Sequence, residues 1–159
     1  MTVSRKDAIK DLLGELPFTA ELYWLLRQRG KPIQSRFLLK SLENSMPELA
    51  ADAQLFAKSA PEGKNIFIFA TLHYWIEHAA VLGMALAGLG HHVRMGYLPF
   101  SDWQKPINRF DLRRQNIYAR RVLEGAGSLL DVVPMMNGYH DNASLPEEML
   151  GEVRHVTDY

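Results

Sequence analysis

The 159-residue sequence contains no cysteine, which excludes disulfides, thiolate metal sites, cysteine-ligated iron–sulfur clusters and a cysteine nucleophile. It also has no net charge, because 18 lysines and arginines balance 18 aspartates and glutamates. No global field therefore attracts nucleic acid or an anionic membrane. The N-terminus lacks an apolar signal core. The longest weakly polar stretch, residues 76–89, is interrupted by Glu77 and His78 and is too short to span a bilayer. We expect a cytoplasmic protein with no membrane span and no nucleic-acid partner.

The composition of the sequence, with 47% hydrophobic and 23% charged residues, is typical of one folded domain. Before residue 60, apolar residues recur at helical spacing and are broken at Pro17, Pro32 and Pro47. This pattern predicts several short helices over residues 1–60. Residues 61–159 have a different character, and we expect them to form a compact α/β unit.

The α/β unit is predicted to open with residues 65–70, an almost continuous apolar run of strand length. Such a run is typical of a central parallel strand that is buried on both faces. Helices and strands then alternate, with helix 76–89 closed by Gly90, strand 93–98, helix 109–124 and strand 129–133. Ser144 and Glu147 predict a last helix through about Val153. The predicted fold is a Rossmann-like parallel sheet of about three or more strands, with an N-terminal helical segment.

The first candidate site follows the first predicted strand, where Thr71, His73, Tyr74 and Trp75 precede a helix. Ligands of open parallel sheets bind beyond the carboxyl ends of the strands, where the N–H groups of the next helix attract anions. Thr71 can cap that helix, and His73 and Tyr74 can hydrogen-bond or stack on a ligand. The alternative is that Tyr74 and Trp75 only pack the sheet against the N-terminal helices. The segment has neither G-x-G-x-x-G nor a P-loop, so we expect no tightly bound pyrophosphate cofactor.

His73 and Glu77 are the candidate catalytic residues. They share one face of the predicted helix, and both residue types transfer protons near neutral pH when their surroundings tune them. The alternative for each is an ordinary structural hydrogen bond. The spacing of His73, Glu77 and His78 matches no zinc motif, and we predict no metal site.

The second part of the candidate site is the start of the helix over residues 109–124. Asn108, Arg109 and Arg113 lie at this start, and the two arginines are one turn apart. Two arginines so placed can clamp a phosphate or carboxylate, which predicts an anionic small-molecule ligand. The alternative is that they pair with acidic side chains elsewhere. For Arg120 and Arg121, further along, we favour a solvated surface role.

The stretch from Asn65 to Leu123 resembles the first βαβ unit of bacterial GT-B-type glycosyltransferase-like proteins that build surface polysaccharides. The resemblance is carried by the strand, the His73-Tyr74-Trp75 segment, a helix of small residues and Gly88-Leu89-Gly90-His91-His92-Val93. It implies the acceptor-side domain of a sugar transferase, with a sugar acceptor as partner. Such enzymes carry the donor nucleotide sugar in a second domain, so we expect this chain alone to be incomplete as an enzyme.

Three functions remain open from the sequence. The first is that acceptor-side domain, and the second is a nucleotide or sugar-phosphate binding module without chemistry. The third is an interaction domain, in which Tyr23, Trp24 and Phe37 form the interface of a homo-oligomer.

Overall fold

The computed structural model describes residues 5–27, 29, 37–102, 104 and 107–135. Three N-terminal helices come first: α1 (Arg5–Glu15), α2 (Thr19–Leu26) and α3 (Lys40–Ala57). The rest follows as β1 (Asn65–Thr71), α4 (His73–Gly88), β2 (His92–Leu98), α5 (Arg109–Leu123), a 3-10 segment (Glu124–Leu129) and β3 (Leu130–Pro134). The predicted α/β fold with an N-terminal helical segment is confirmed. The helix predicted from Ser144 lies outside the described residues.

The three strands form one parallel sheet in the order β1-β2-β3. Right-handed crossovers between neighbouring parallel strands place their helices on the same face of the sheet. The contacts agree with this rule. Gly83 of α4 lies against Val93 and Leu130, and the Tyr97 hydroxyl donates to Asn116 Oδ1 of α5 at 2.8 Å. Both crossover helices therefore cover the face that carries Val93, Tyr97 and Leu130.

Within the described sheet, β1 is an edge strand, so the prediction that it is central and buried on both faces is wrong. Phe67 is 59% exposed and Phe69 is 50% exposed, whereas Ala70 is 2% exposed. The physical reason is that α4 and α5 lie on the same face of the sheet, so only one face of β1 is buried. Because strand side chains alternate between faces, the two phenylalanines lie on the other.

Helix α3 continues through Pro47, where the sequence pattern predicted a break. Its buried residues Leu42, Met46, Ala50 and Ala53 form one apolar stripe. This stripe packs along α4, where Ala53 meets Gly88. The free energy gained by burying this stripe offsets the cost of the backbone hydrogen bond that Pro47 cannot donate.

Helix α4 ends as its sequence predicts. Leu89 is the C-cap and Gly90 follows with φ at 90°, a conformation that favours glycine because it has no Cβ. One core joins α3, α4, α5 and the sheet, and its fully buried members include Met84, Met95 and Tyr118. Across the described residues, no helix combines the length and the apolar character that crossing a bilayer needs.

Candidate functional site

The chain turns sharply between β1 and α4 at a single residue, Leu72. Its φ and ψ are 64° and 144°, a backbone conformation that glycine adopts readily and leucine rarely. The Leu72 side chain is nevertheless buried, with 8% exposure. His73 and Tyr74 consequently stand in the first turn of α4 rather than in a loop before it. The prediction that Thr71 caps this helix is wrong, because Leu72 occupies the N-cap position and Thr71 is the last residue of β1.

The starts of α4 and α5 differ in how their backbone N–H groups are satisfied. The α5 start is capped, because Asn108 Oδ1 accepts from the Asp111 N–H at 2.8 Å and Asp111 places a carboxylate in the first turn. Leu72 has no polar side-chain atom, and among the described residues no side chain caps α4 and no acidic residue stands in its first turn. Among the described residues, the first N–H groups of α4 therefore have no side-chain partner, and they lie at the positive end of a 16-residue helix.

Two polar side chains border the α4 start. His73 is partly buried, and its ring meets the rings of Tyr74 and Phe37 edge-on at centroid distances of 5.2 and 6.5 Å. The His73 Nδ1 atom is buried and has no hydrogen-bond partner among the described residues. Tyr74 is 42% exposed, so part of its ring is open to a ligand. The described residues contain no group of histidines and carboxylates that could hold a metal ion.

Glu77, one turn after His73, is engaged with α3. Its Oε1 accepts from the backbone N–H of Leu42 at 3.2 Å, in the first turn of α3. The N-cap residue of α3 is Leu39, which has no capping side chain. Glu77 thus supplies from α4 the capping acceptor that the Leu39 side chain cannot provide. This is the structural hydrogen bond that the sequence left open as the alternative to a catalytic role.

Tyr118 completes the capping of α3. Its hydroxyl accepts from the Leu39 N–H at 3.2 Å and lies 3.3 Å from Glu43 Oε2, to which it can donate. Burial raises the pKa of the Tyr118 hydroxyl above its usual value. The group therefore stays protonated and keeps its donor for the glutamate. The start of α3 is held by residues of both α4 and α5.

We expect Glu77→Ala to destabilise the chain by about 1 kcal/mol, the usual effect of removing a helix cap. Glu77→Gln, which keeps an oxygen acceptor, should lose less. Urea unfolding of the two variants beside the parent chain measures both values. Equal stability of all three chains would show that Glu77 does not cap α3.

Arg109 and Arg113 bind the N-terminal helices. Arg109 Nη1 lies 2.7 Å from Glu15 Oε2, and Arg113 pairs with the Glu21 carboxylate. Arg113 also donates to the carbonyl oxygens of Gly14 and Leu16, at 3.0 and 2.6 Å. Together these contacts tie the α1–α2 corner to α5. They are the pairing with distant acids that the sequence left open as the alternative to an anion clamp.

The structure therefore divides the predicted site into two groups. Thr71, His73 and Tyr74 surround the start of α4. Asn108, Arg109 and Arg113 face α1, α2 or the first turn of their own helix, and their predicted part in ligand binding stays a prediction. Arg120 lies further along α5 on the surface, where it pairs with Glu124 at 2.9 Å.

Sequence reasoning missed two features of the protein. Gln115 is 3% exposed, and its Oε1 has no hydrogen-bond partner among the described residues. The one sequence feature that could have identified this buried glutamine is its position on the apolar side of the predicted helix. The other feature is a cavity of about 900 Å³ at the amino ends of the strands, lined in part by Pro61, Asn65, His91, His92, Arg94 and Asp131. This cavity is at the opposite edge of the sheet from the α4 start, and ligands of parallel sheets characteristically bind at the carboxyl edge.

No family model, curated protein or solved structure matches the chain.

Proposed function

We propose that this chain is the acceptor-side domain of a glycosyltransferase-like enzyme, incomplete as a catalyst alone, and that it binds an anionic group of a sugar ligand at the start of α4. The observation that carries the proposal is the difference between the two helix starts. Asn108 and Asp111 occupy the α5 start, whereas the N–H groups of the α4 start are uncapped by any described side chain. A phosphate or carboxylate satisfies such groups and the helix dipole together.

The side chains around the α4 start fit a sugar carrying a phosphate. His73, the first residue of α4, supplies a ring nitrogen, Nδ1, that is buried and makes no hydrogen bond to a described residue. Tyr74 supplies a partly exposed aromatic ring against which the apolar face of a sugar can pack. His73 is the candidate for proton transfer to or from the acceptor, because Glu77 is held by α3.

Binding of inorganic phosphate, a sugar 1-phosphate and the corresponding neutral sugar, measured by calorimetry, tests this proposal. We expect the two phosphates to bind and the neutral sugar to bind far more weakly. His73→Ala should weaken phosphate binding about ten-fold, the effect of losing one charge-assisted hydrogen bond. Tyr74→Ala should affect the sugar phosphate more than inorganic phosphate.

Arg120→Ala is the control, because Arg120 lies on the surface with Glu124 and should leave both affinities unchanged. Unchanged phosphate binding in folded His73→Ala, or equal binding of the neutral sugar, would refute a site at the α4 start. Turnover of a sugar nucleotide by this chain alone would contradict the part of the proposal that calls it incomplete.

A second candidate function, a homo-oligomer, is favoured by the outer surface of α2. Leu22, Leu25 and Leu26 of α2 are 53%, 60% and 72% exposed, and exposed apolar patches mark contact surfaces. The interface predicted at Phe37 is wrong for that residue, which is 0% exposed. A mass by light scattering that rises with concentration, and falls to the monomer's in Leu25→Glu, would support an interface at α2.

A further inference from the structure

The outer edge of β1 is a strand edge without the features that usually protect one. The His92 N–H donates to the Lys64 carbonyl oxygen at 3.0 Å, and the bonding residues of a parallel strand alternate. The N–H and C=O groups of residues 65, 67, 69 and 71 therefore point away from β2, where β1 pairs with no described strand. Proteins blunt such edges with charges, proline or a bulge. The β1 sequence has no charged residue and no proline, so its edge, which we call the β1 edge, suits pairing with a further strand.

The side of α4 beside the β1 edge is apolar as well. Helix α3 meets α4 at Glu77 and Gly88 and also contacts α5 and the 3-10 segment, so α3 lies on the β3 side of α4. Trp75 and Leu82 lie roughly 120–160° around the helix from those two residues, which places them on the β1 side. They are 59% and 53% exposed, and Leu89 is 62% exposed.

These three residues belong to one stripe, which we call the α4 flank, at positions 75, 78, 82, 85 and 89. All five positions are exposed, and none of them holds a lysine, arginine, aspartate or glutamate. The spacing of three and four residues is that of a helix surface that packs on a second helix. The α4 flank therefore has the composition and the spacing of a contact surface.

We propose that two copies of the chain form a dimer by antiparallel pairing of their β1 edges, about a two-fold axis at Ile68. Phe67 then exchanges both of its backbone hydrogen bonds with Phe69 of the partner subunit, and the four phenylalanine rings of the two copies gather on one face of the joined sheet. Phe67 and Phe69 are 59% and 50% exposed in the single chain. The contact is isologous, so each copy covers the β1 edge of the other.

The same axis brings the two α4 flanks together. Helix α4 contacts both β1 and β2, and across the axis it and its copy are two strand spacings apart, which is about 10 Å. Helices pack at about 8–10 Å. The 16 residues of α4 and the seven of β1 both extend for roughly 23–24 Å, so an axis through the middle of β1 also passes the middle of α4, near Leu82. A lone peptide strand would pair with the β1 edge and leave the α4 flank exposed, which favours a second copy.

Charge and area favour the second copy too. The chain has no net charge, with 18 basic and 18 acidic residues, so two copies do not repel one another. A stable dimer buries about 800 Å² on each partner. The half-exposed rings of Phe67, Phe69 and Trp75 supply roughly a third of that area, before the leucines of the α4 flank are added.

Disulfide trapping in the whole chain tests both the pairing and its register. Because the protein has no cysteine, Ile68→Cys gives one thiol per chain. The axis places this residue opposite its own copy with Cα atoms about 4.5 Å apart, within reach of a disulfide, so we expect a covalent dimer on oxidation with copper phenanthroline. The matched control is Ile66→Cys, which is partly buried like Ile68. Its two copies are about 13 Å apart along the strands and should stay uncrosslinked.

Three charged variants separate this interface from other contacts. Leu82→Glu sets two carboxylates against each other near the axis and should raise the dimer dissociation constant, measured by sedimentation, roughly ten-fold or more. Leu55→Glu, at a 62% exposed residue of α3, should leave it unchanged. Leu25→Glu on α2 should also leave it unchanged; a monomeric Leu25→Glu chain would place the interface at α2 and overturn the proposal.

Three other results would overturn the proposal as well. They are a parent chain that sediments as a monomer at every concentration, unchanged association of Leu82→Glu, and equal crosslinking of Ile66→Cys and Ile68→Cys.

Discussion

Arg113→Ala is expected to lower the free energy of unfolding by about 3 kcal/mol, because it removes a partly buried ion pair together with two charged hydrogen bonds to backbone carbonyls. The Arg113 side chain is 16% exposed, and its Glu21 partner is 42% exposed. The substitution also leaves the Gly14 and Leu16 carbonyl oxygens without their charged donor. For a chain of this size the loss corresponds to a fall of about 6–12 °C in the melting temperature, measurable by calorimetry.

Arg120→Ala is the matched control for Arg113→Ala, since it removes an arginine of the same helix whose ion pair is exposed at both ends. Exposed pairs contribute about 0–1 kcal/mol, so this variant should unfold close to the parent chain. The pair of variants also tests the ligand clamp predicted from the sequence. A folded and equally stable Arg113→Ala chain that no longer binds phosphate would assign Arg113 to the ligand and not to α1 and α2.

Met84→Ala is expected to cost about 2–5 kcal/mol, the range for removing a fully buried methionine side chain. Met84 is 1% exposed and lies in the core that joins α4 to α3, α5 and the sheet. Its neighbours on α4 include Gly83 and Ala87, which have little or no side chain to move into the space that is left. Chemical denaturation at equilibrium gives the loss directly.

Leu82→Ala, two residues away, controls for the change of side-chain size and helix propensity on α4. Leu82 is 53% exposed, so the substitution should change stability by about 0.5 kcal/mol or less. Equal losses at Met84 and Leu82 would contradict the orientation of α4 on the sheet.

The order of strands and helices from β1 to β3 was predictable because each element has its own local signal. The apolar run of β1 and the Gly90 at the end of α4 are examples, and the observed bounds differ from the predicted ones by only a few residues. The burial of β1 was not predictable in this way. An apolar run is the same in a central strand and in an edge strand, and only the strand order and the side of the crossovers separate the two.

The candidate site was harder to predict because the partners of its residues are distant in sequence. Arg113 and Glu21 lie 92 positions apart, and Glu77 and Leu42 lie 35 apart. The residue types indicated that the charged side chains of Arg113 and Glu77 need a hydrogen-bonding or ion-pair partner. They did not indicate whether that partner is a ligand or another part of the protein. Nothing in the sequence predicted the positive φ of Leu72, because leucine does not favour that conformation.

The ion pairs and hydrogen bonds that join α5 to the α1–α2 corner affect the order in which the protein folds during synthesis. During synthesis α1 and α2 leave the ribosome before α5, and Gly14 and its partner Arg113 are 99 positions apart. The nascent helices therefore have no docking surface until α5 has emerged, and closing so long a loop is slow compared with forming β1-α4-β2. Helices α1 and α2 are thus made before β1-α4-β2 but reach their native contacts with α5 after that unit has formed.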